Sequence, residues 1–308
     1  MSASANSKGE SNKVIFIALM ANLGIAIAKF TGAFFTKSAS LLAEAIHSLA
    51  DCTNQVFLLI GSKASAKPAD DLHPLGYGRE SFFWSFMVAM LLFSMGGMFA
   101  IYEGVHKLNG PESELQHPYI ALGILAVSIL LEGGSFFACL KEVKKQNTYP
   151  NLWQWFRKSS ASDLIVIFME DLAALLGLCL ASIFLIIAIV TNNVMWDAAG
   201  SIVIGVLLVV VAVLLAREVK SLLVGEKSTT DYTTFINEQL KAFGSKAKVL
   251  KVITLMTGSH EVMLTMKIHP GDIEKTSDLI TQINDLEKKI KKQFPEIRWL
   301  FVEPDIEA

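Results

Sequence analysis

The chain has 308 residues, 52% hydrophobic and 18% charged, whereas soluble domains carry about a quarter of charged residues, so the balance is that of a membrane protein. A net charge of -2 leaves no basic surplus and excludes a nucleic-acid partner. Cys52, Cys139 and Cys179 lie apart in apolar stretches with no CxxC spacing, which argues against a disulfide framework.

Residues 1–12 are polar and Ser-rich and contain no arginine, so they read as a disordered cytoplasmic tail rather than a cleavable signal or transit peptide. Apolar segments with about the 20 residues needed to cross a bilayer then run near 14–36, 39–64, 82–105, 118–140, 162–190 and 195–216. Turn chemistry separates them: Pro68 and the run His73 to Gly78, Asn109-Gly110-Pro111, Tyr149-Pro150-Asn151 and Asn192-Asn193. Lys63, Lys67 and Arg79, then Lys141, Lys144, Lys145, Arg157 and Lys158, then Arg217, Lys220 and Lys227 fall on one side, against Lys37 and Lys107 on the other. Both termini are therefore expected in the cytoplasm. Trp153, Trp155 and Phe156 beside basic residues read as an interfacial anchor or as a plain soluble loop. From residue 226 the composition turns soluble. Phe235, Ile236, Leu240 and Phe243 predict a short helix, and Leu250 to Met256 a strand. A turn at Thr257-Gly258-Ser259 and a strand alternating at Val262, Leu264, Met266 and Ile268 follow. Leu279, Ile280, Ile283, Leu286 and Ile290 predict a longer helix, and Trp299 to Glu303 a last strand. The order αββαβ predicts a sheet covered on one face by two helices.

Chemistry concentrates in the second and fifth segments. Glu44, His47, Asp51 and Gln55 recur at steps of three or four and form one stripe on a helix. Each ionisable residue in mid-membrane costs roughly 2.5–3.5 kcal/mol on insertion scales, so the stripe calls for a use. His47 and Asp51, one turn apart, can reach one cation; imidazole plus carboxylate suits Zn²⁺ or Fe²⁺, an all-oxygen set Mn²⁺ or Mg²⁺. The pair could also bond each other or a neighbouring helix and bind nothing. In the fifth segment Glu170 and Asp171 are about 100° apart in helical phase, so both cannot face one ion without adjustment. Asp171 has apolar neighbours at Ile167, Phe168 and Leu175, so its partner must come from another helix, with the stripe on segment two the candidate. Glu170 shares a face with Asp163 and Gly177 and is either a ligand or the lining of a cytoplasmic access route. Lys29 is read as snorkelling or pairing with Glu44, Glu132 beside Gly133-Gly134 as a helix contact or a proton path, and Asp197 as the cap of segment six.

The run Leu-Ala-Glu-Ala-Ile-His-Ser-Leu-Ala-Asp ending at Asp51, the loop His73 to Arg79, Glu170-Asp171 and Trp-Asp-Ala-Ala-Gly-Ser at 196–201 together resemble the cation diffusion facilitator family. Glu-Ala-Ile-His-Ser, the Asn54-Gln55 pair and the Glu-Asp doublet resemble its zinc-transporter-nine-like branch. The resemblance implies a homodimer of six-helix subunits that exports divalent metal from the cytoplasm in exchange for protons. It assigns the transport site to His47 and Asp51 on segment two and Asp171 on segment five, where the position four residues earlier holds Ile167 and cannot bind metal. A tetrahedral Zn²⁺ then needs a fourth ligand from Glu170, Asn54 or water, and oxygen in place of imidazole leans toward Fe²⁺ or Mn²⁺. A loop site of some relatives matches Asp70 and His73, with Tyr77 in place of its later histidine. In the terminal domain His260, His269, Glu303 and Asp305 are ligand-type residues, but a family histidine on the second strand is replaced, so they are read as solvated surface.

The expectation is a mostly α membrane protein: six transmembrane helices over 13–225, then a ferredoxin-like αββαβ cytoplasmic domain over 226–308. Its function is read as proton-coupled antiport of a divalent metal, Zn²⁺ first and Fe²⁺ or Mn²⁺ after it, in a plasma or bacterial inner membrane. No permanently bound cofactor is expected; the partners are metal ions, protons, the bilayer and a second copy. Two alternatives are an intramembrane metallohydrolase, which lacks an HExxH motif, and a metal-responsive scaffold.

Overall fold

The computed structural model describes residues 20, 22–110, 117–146, 150–159, 162–244, 246–259, 261–271, 273 and 275–306. The expected tail at 1–12, His260 and the side chain of Asp163 lie outside the described residues. In chain order the helices are α1 (22–36), α2 (Ala39–Ser65), α3 (Glu80–Asn109), α4 (Pro118–Gln146), α5 (Leu152–Lys158), α6 (Ser162–Thr191), α7 (Met195–Val224), α8 (Thr233–Leu240) and α9 (Thr276–Gln293). The strands are β1 (Lys248–Gly258), β2 (Glu261–His269) and β3 (Ile297–Pro304). The chain divides into two compact units: Met1–Ile60, Trp84–Tyr149 and Asp163–Glu218 form one, and Gly61–Phe83, Pro150–Ser162 and Val219–Ala308 the other.

Local chemistry sets the helix ends of the first unit. Lys37 takes a positive φ of 56° and its N–H bonds the Ala33 carbonyl at 2.9 Å, which stops α1. One residue on, the Ser38 hydroxyl accepts the N–H of Leu41 at 3.2 Å and starts α2. Proline opens α4, and Asn192, with φ 50°, closes α6. Helix α3 is interrupted by a π-helical stretch at Leu92–Met98. A Cβ at Gly205 would stand 2.7 Å from the Gly97 carbonyl, and one at Gly97 3.1 Å from that of Gly205, so the backbones of α3 and α7 touch. The Ser201 hydroxyl donates to the Ala100 carbonyl at 2.7 Å along the same seam.

Among the described residues, four helical stretches are long and apolar enough to cross a membrane: Glu80–Asn109, Pro118–Lys144, Leu164–Thr191 and Met195–Val224. The expected count was six. Helix α2 falls short because its polar stripe lowers its hydropathy, and the start of the first segment lies outside the described residues. Outward-facing Leu130, Phe137 and Val190 are at least two-thirds exposed, a surface suited to lipid.

In the second unit the sheet order is β1-β2-β3, with β1 and β2 antiparallel and β2 and β3 parallel. Val262, Leu264, Met266 and Ile268 alternate as the buried face, as the sequence predicts, and Ile236, Leu240, Leu286 and Ile290 of the helices are buried too. The expected turn at Thr257-Gly258-Ser259 starts later, because β1 runs through Gly258. The unit also takes in the loop after α2. Trp299 Nε1 donates to the Leu75 carbonyl at 3.3 Å, the Ser259 and Ser81 hydroxyls are 3.1 Å apart, and a Cβ at Gly78 would overlap the Thr257 carbonyl. Helix α5 starts from Asn151, whose side chain accepts from Gln154 N at 2.8 Å. Its aromatic residues split: Trp155 and Phe156 are buried, Trp153 is exposed.

Candidate metal site

Helix α2 presents its polar stripe to the interior of the first unit, where Glu44, His47 and Asn54 are fully buried and Asp51 nearly so. His47 Nδ1 lies 3.7 Å from Asp51 Oδ1, too far for a hydrogen bond. Gly96 in the π-helical stretch of α3 lies beside the imidazole, where a Cβ would stand 3.8 Å from His47 Nδ1. Both ring nitrogens of His47, Asp51 Oδ1, Asn54 Oδ1 and Gln55 Oε1 are buried with no hydrogen-bond partner. Buried polar atoms are paired in the great majority of cases, so such a row on one helix face is an unfilled demand for ligands.

Helix α6 answers with Glu170. Its Oε1 accepts from Asn54 Nδ2 at 2.5 Å, and its carboxyl group meets that of Asp51. Asp171, expected to face the stripe, instead accepts from Ser135 of α4 at 3.2 Å. The phase difference of about 100° accounts for the split, because two adjacent residues cannot both point straight at α2. Ile167, read as the ion-facing position four before Asp171, is 38% exposed, while Val166, four before Glu170, is fully buried. Among the described residues no three His, Cys, Asp or Glu side chains converge into a group that could hold a metal ion.

Three buried groups depart in part from the sequence reading. Lys29 takes the second of its two expected readings: it does not snorkel but is fully buried, pairing with Glu44 at 3.4 Å and also donating to Ser48 Oγ at 2.7 Å. Glu132 stands 3.9 Å from the same ammonium, while Gly133 and Gly134 beside it meet nothing within 4 Å among the described residues. Asp197 caps α2 rather than its own helix, its carboxylate accepting from Ala39 N at 2.6 Å, from Ser38 Oγ at 2.7 Å, from Ser40 Oγ and from Lys107 Nζ at 3.2 Å. Serines on both sides of Ala39 were the signal, since a carboxylate at a helix N-terminus is favoured by the free N–H groups there.

The loop pair Asp70 and His73 is satisfied internally. Asp70 accepts from the backbone of Leu72 at 3.1 Å and of His73 at 2.7 Å, and from the Tyr77 hydroxyl at 2.7 Å, while the His73 and Tyr77 rings stack at 4.2 Å. The Tyr77 hydroxyl, then the His73 backbone, hold the Asp70 carboxyl below its usual range. With a lowered value in the folded state, this contribution is present at neutral pH and is lost as pH falls through that value. In the sheet domain Lys267 occupies the space between carboxylates, 2.7 Å from Asp305 and 3.3 Å from Glu303. Asp305, then Glu303, push its ammonium pKa up. The His269 ring accepts from Gly271 N at 3.1 Å.

Apolar helices closed over ionisable side chains define a membrane protein. Comparison with known proteins agrees: the family model for the cation efflux transmembrane domain matches residues 15–224. The chain belongs to this family, the cation diffusion facilitators, and is close to its SLC30A9-like members. It is 32% identical to metal tolerance protein C4 of Arabidopsis thaliana over 70% of this chain and 47% of that protein. It is 29% identical to the human proton-coupled zinc antiporter SLC30A9, mitochondrial, over 74% of this chain and 40% of that protein. A magnetosome protein, MamB of Magnetospira, is 28% identical over 55% of this chain and 58% of its own length. The chain spans less than half the length of the first two relatives.

Proposed function

We propose that this protein exports a divalent transition metal in exchange for protons, Zn²⁺ first and Fe²⁺ or Mn²⁺ after it. We assign the metal to His47 and Asp51 on α2 with Glu170 or Asp171 on α6 and Asn54 as an auxiliary oxygen ligand; these side chains are not drawn into one coordinating group in this structure, so the ion must gather them on binding. The observation that carries the reading is the row of unpartnered buried atoms on α2, of which a cation would take up one imidazole nitrogen of His47 and the Asp51 oxygen. One imidazole and two carboxylates leave a fourth position open, a set that accepts Zn²⁺ and tolerates the harder Mn²⁺. The chain's similarity to a proton-coupled zinc antiporter and to a metal tolerance protein supports the same chemistry.

Alternating access would open the site first to the cytoplasm and then to the far side. Proton exchange follows because ligands bind metal deprotonated and release it when protonated. In this reading α1 and α2 also cross the membrane, giving six spans over 13–225 with both termini in the cytoplasm. Residues 226–308 then form a cytoplasmic domain that pairs with a second copy. The basic loops set this orientation, and a plasma or bacterial inner membrane is the proposed location.

The test is metal uptake by proteoliposomes holding the full chain under an imposed pH gradient. Zn²⁺ uptake driven by the gradient, lost by at least about ten-fold in Asp51→Ala, is expected. A folded wild-type protein that moves no divalent metal under any gradient would end the proposal.

A further inference from the structure

A second ionisable group lies one turn of α2 away from His47 and is not used by the metal ligands. Lys29 of α1 is fully buried, and its ammonium faces three oxygens: Ser48 Oγ at 2.7 Å, Glu44 Oε2 at 3.4 Å and Glu132 Oε1 at 3.9 Å. The ammonium fills the centre of the group, so no metal ion can sit there. Glu44 Oε1 is buried and has no partner, and it fits against α6 only because Gly177 has no side chain. The charged groups that face Glu44 are Lys29 from α1 and Glu132 from α4; His47 lies on its own helix at the third residue on, and α6 meets it with the uncharged Gly177, while Glu132 also lies in the field of Asp51 on α2 and of Glu170 and Asp171 on α6.

Two carboxylates and one ammonium leave one negative charge over in a site closed to water, where an uncompensated charge is costly. A single proton cancels it and needs no ligand shell. We propose that Glu44 and Glu132, gathered by Lys29, are the proton-carrying site of the exchange, holding one proton while the metal site is empty and losing it when a divalent ion arrives at His47 and Asp51. This rests on the antiport reading above. On arrival of the metal the carboxyl O–H bond breaks and the proton passes to water on the side then open, leaving a carboxylate paired with Lys29. On departure of the metal that carboxylate takes a proton from water, and no electrons are exchanged. Repulsion between the divalent ion and the proton one helical turn away links the two events.

The experiment is calorimetry of Zn²⁺ binding to the full chain in detergent, repeated in buffers of different ionisation enthalpy, which counts protons released per metal bound. Glu44→Gln leaves one carboxylate against one ammonium, a neutral pair, so it should release about one proton fewer than wild type while its affinity stays within about three-fold. Glu132→Gln should read the same. Lys29→Met leaves two carboxylates without their cation and should release more protons, not fewer. Unchanged counts in folded glutamine variants would make the group a structural tie and overturn the proposal, as would failure of both variants to fold. Wild-type binding without any proton release would instead sink the antiport reading itself.

Discussion

Glu170 and Asp171 are neighbours in the chain with different surroundings, one bonded to Asn54 of α2 and the other to Ser135 of α4. Glu170→Gln should therefore weaken Zn²⁺ binding by at least about ten-fold, a loss of about 1.4 kcal/mol. Asp171→Asn should weaken it far less, since an amide still accepts from Ser135. Calorimetry on the two folded variants checks this, and the reverse order would return the ligand role to Asp171. The helical phase of the doublet was readable from sequence, but not which of the two faces the stripe, because that depends on how α6 is rotated against α2. Val166 and Ile167 report the rotation, one fully buried and the other 38% exposed, yet both are aliphatic and no pattern of residue types separates them.

Among elements, the strongest tie runs from the first turn of α7 to the first turn of α2. Asp197 is fully buried and accepts from two serines, a backbone N–H and Lys107, so it acts as cap, dipole partner and counter-ion together. Asp197→Ala should remove the cap and leave the largely buried Lys107 bonded to the Lys37 carbonyl but without this counter-ion, at a cost of about 3 kcal/mol, read as a clear fall in the thermal midpoint in detergent. Asp197→Asn should recover part of it by keeping an oxygen acceptor. An unchanged midpoint in the alanine variant would mean that α2 is held in some other way. The capping character of Asp197 was legible; its target was not, because the donors lie more than 150 positions away in the chain. Five of the expected segments proved long helices, with α3, α4 and α7 running past the apolar stretches, since polar residues at their ends cost nothing in water. Helix α2 is the instructive case: the residues that lower its hydropathy are the ones proposed to hold the metal.

At the scale of the whole molecule, the sheet domain leaves one face open. Ile253, Thr265 and Phe301 pair across the three strands in a single row, as do Leu255, Met263 and Trp299 in the next. Trp299 is tied to the loop at Leu75, but Ile253 and Phe301 remain more than half exposed. The strand alternation in the sequence identified the buried side through Val262, Leu264, Met266 and Ile268; that the other side is also apolar needs the register, which pairs residues from distant segments. A domain of this size buries too little surface to be robust alone, and an apolar row across a sheet is a natural seat for a second copy. The proposed homodimer should then depend on that row. Ile253→Asp combined with Phe301→Asp places two like charges on it, and burying them unpaired against a partner would cost several kcal/mol. The variant should run as a monomer in light scattering in detergent where wild type runs as a dimer. Both substitutions lie on the open face, so the β-sheet content by circular dichroism should be unchanged. A variant that keeps its fold and remains a dimer would show that the second copy is held elsewhere, and the exposed row would need another occupant.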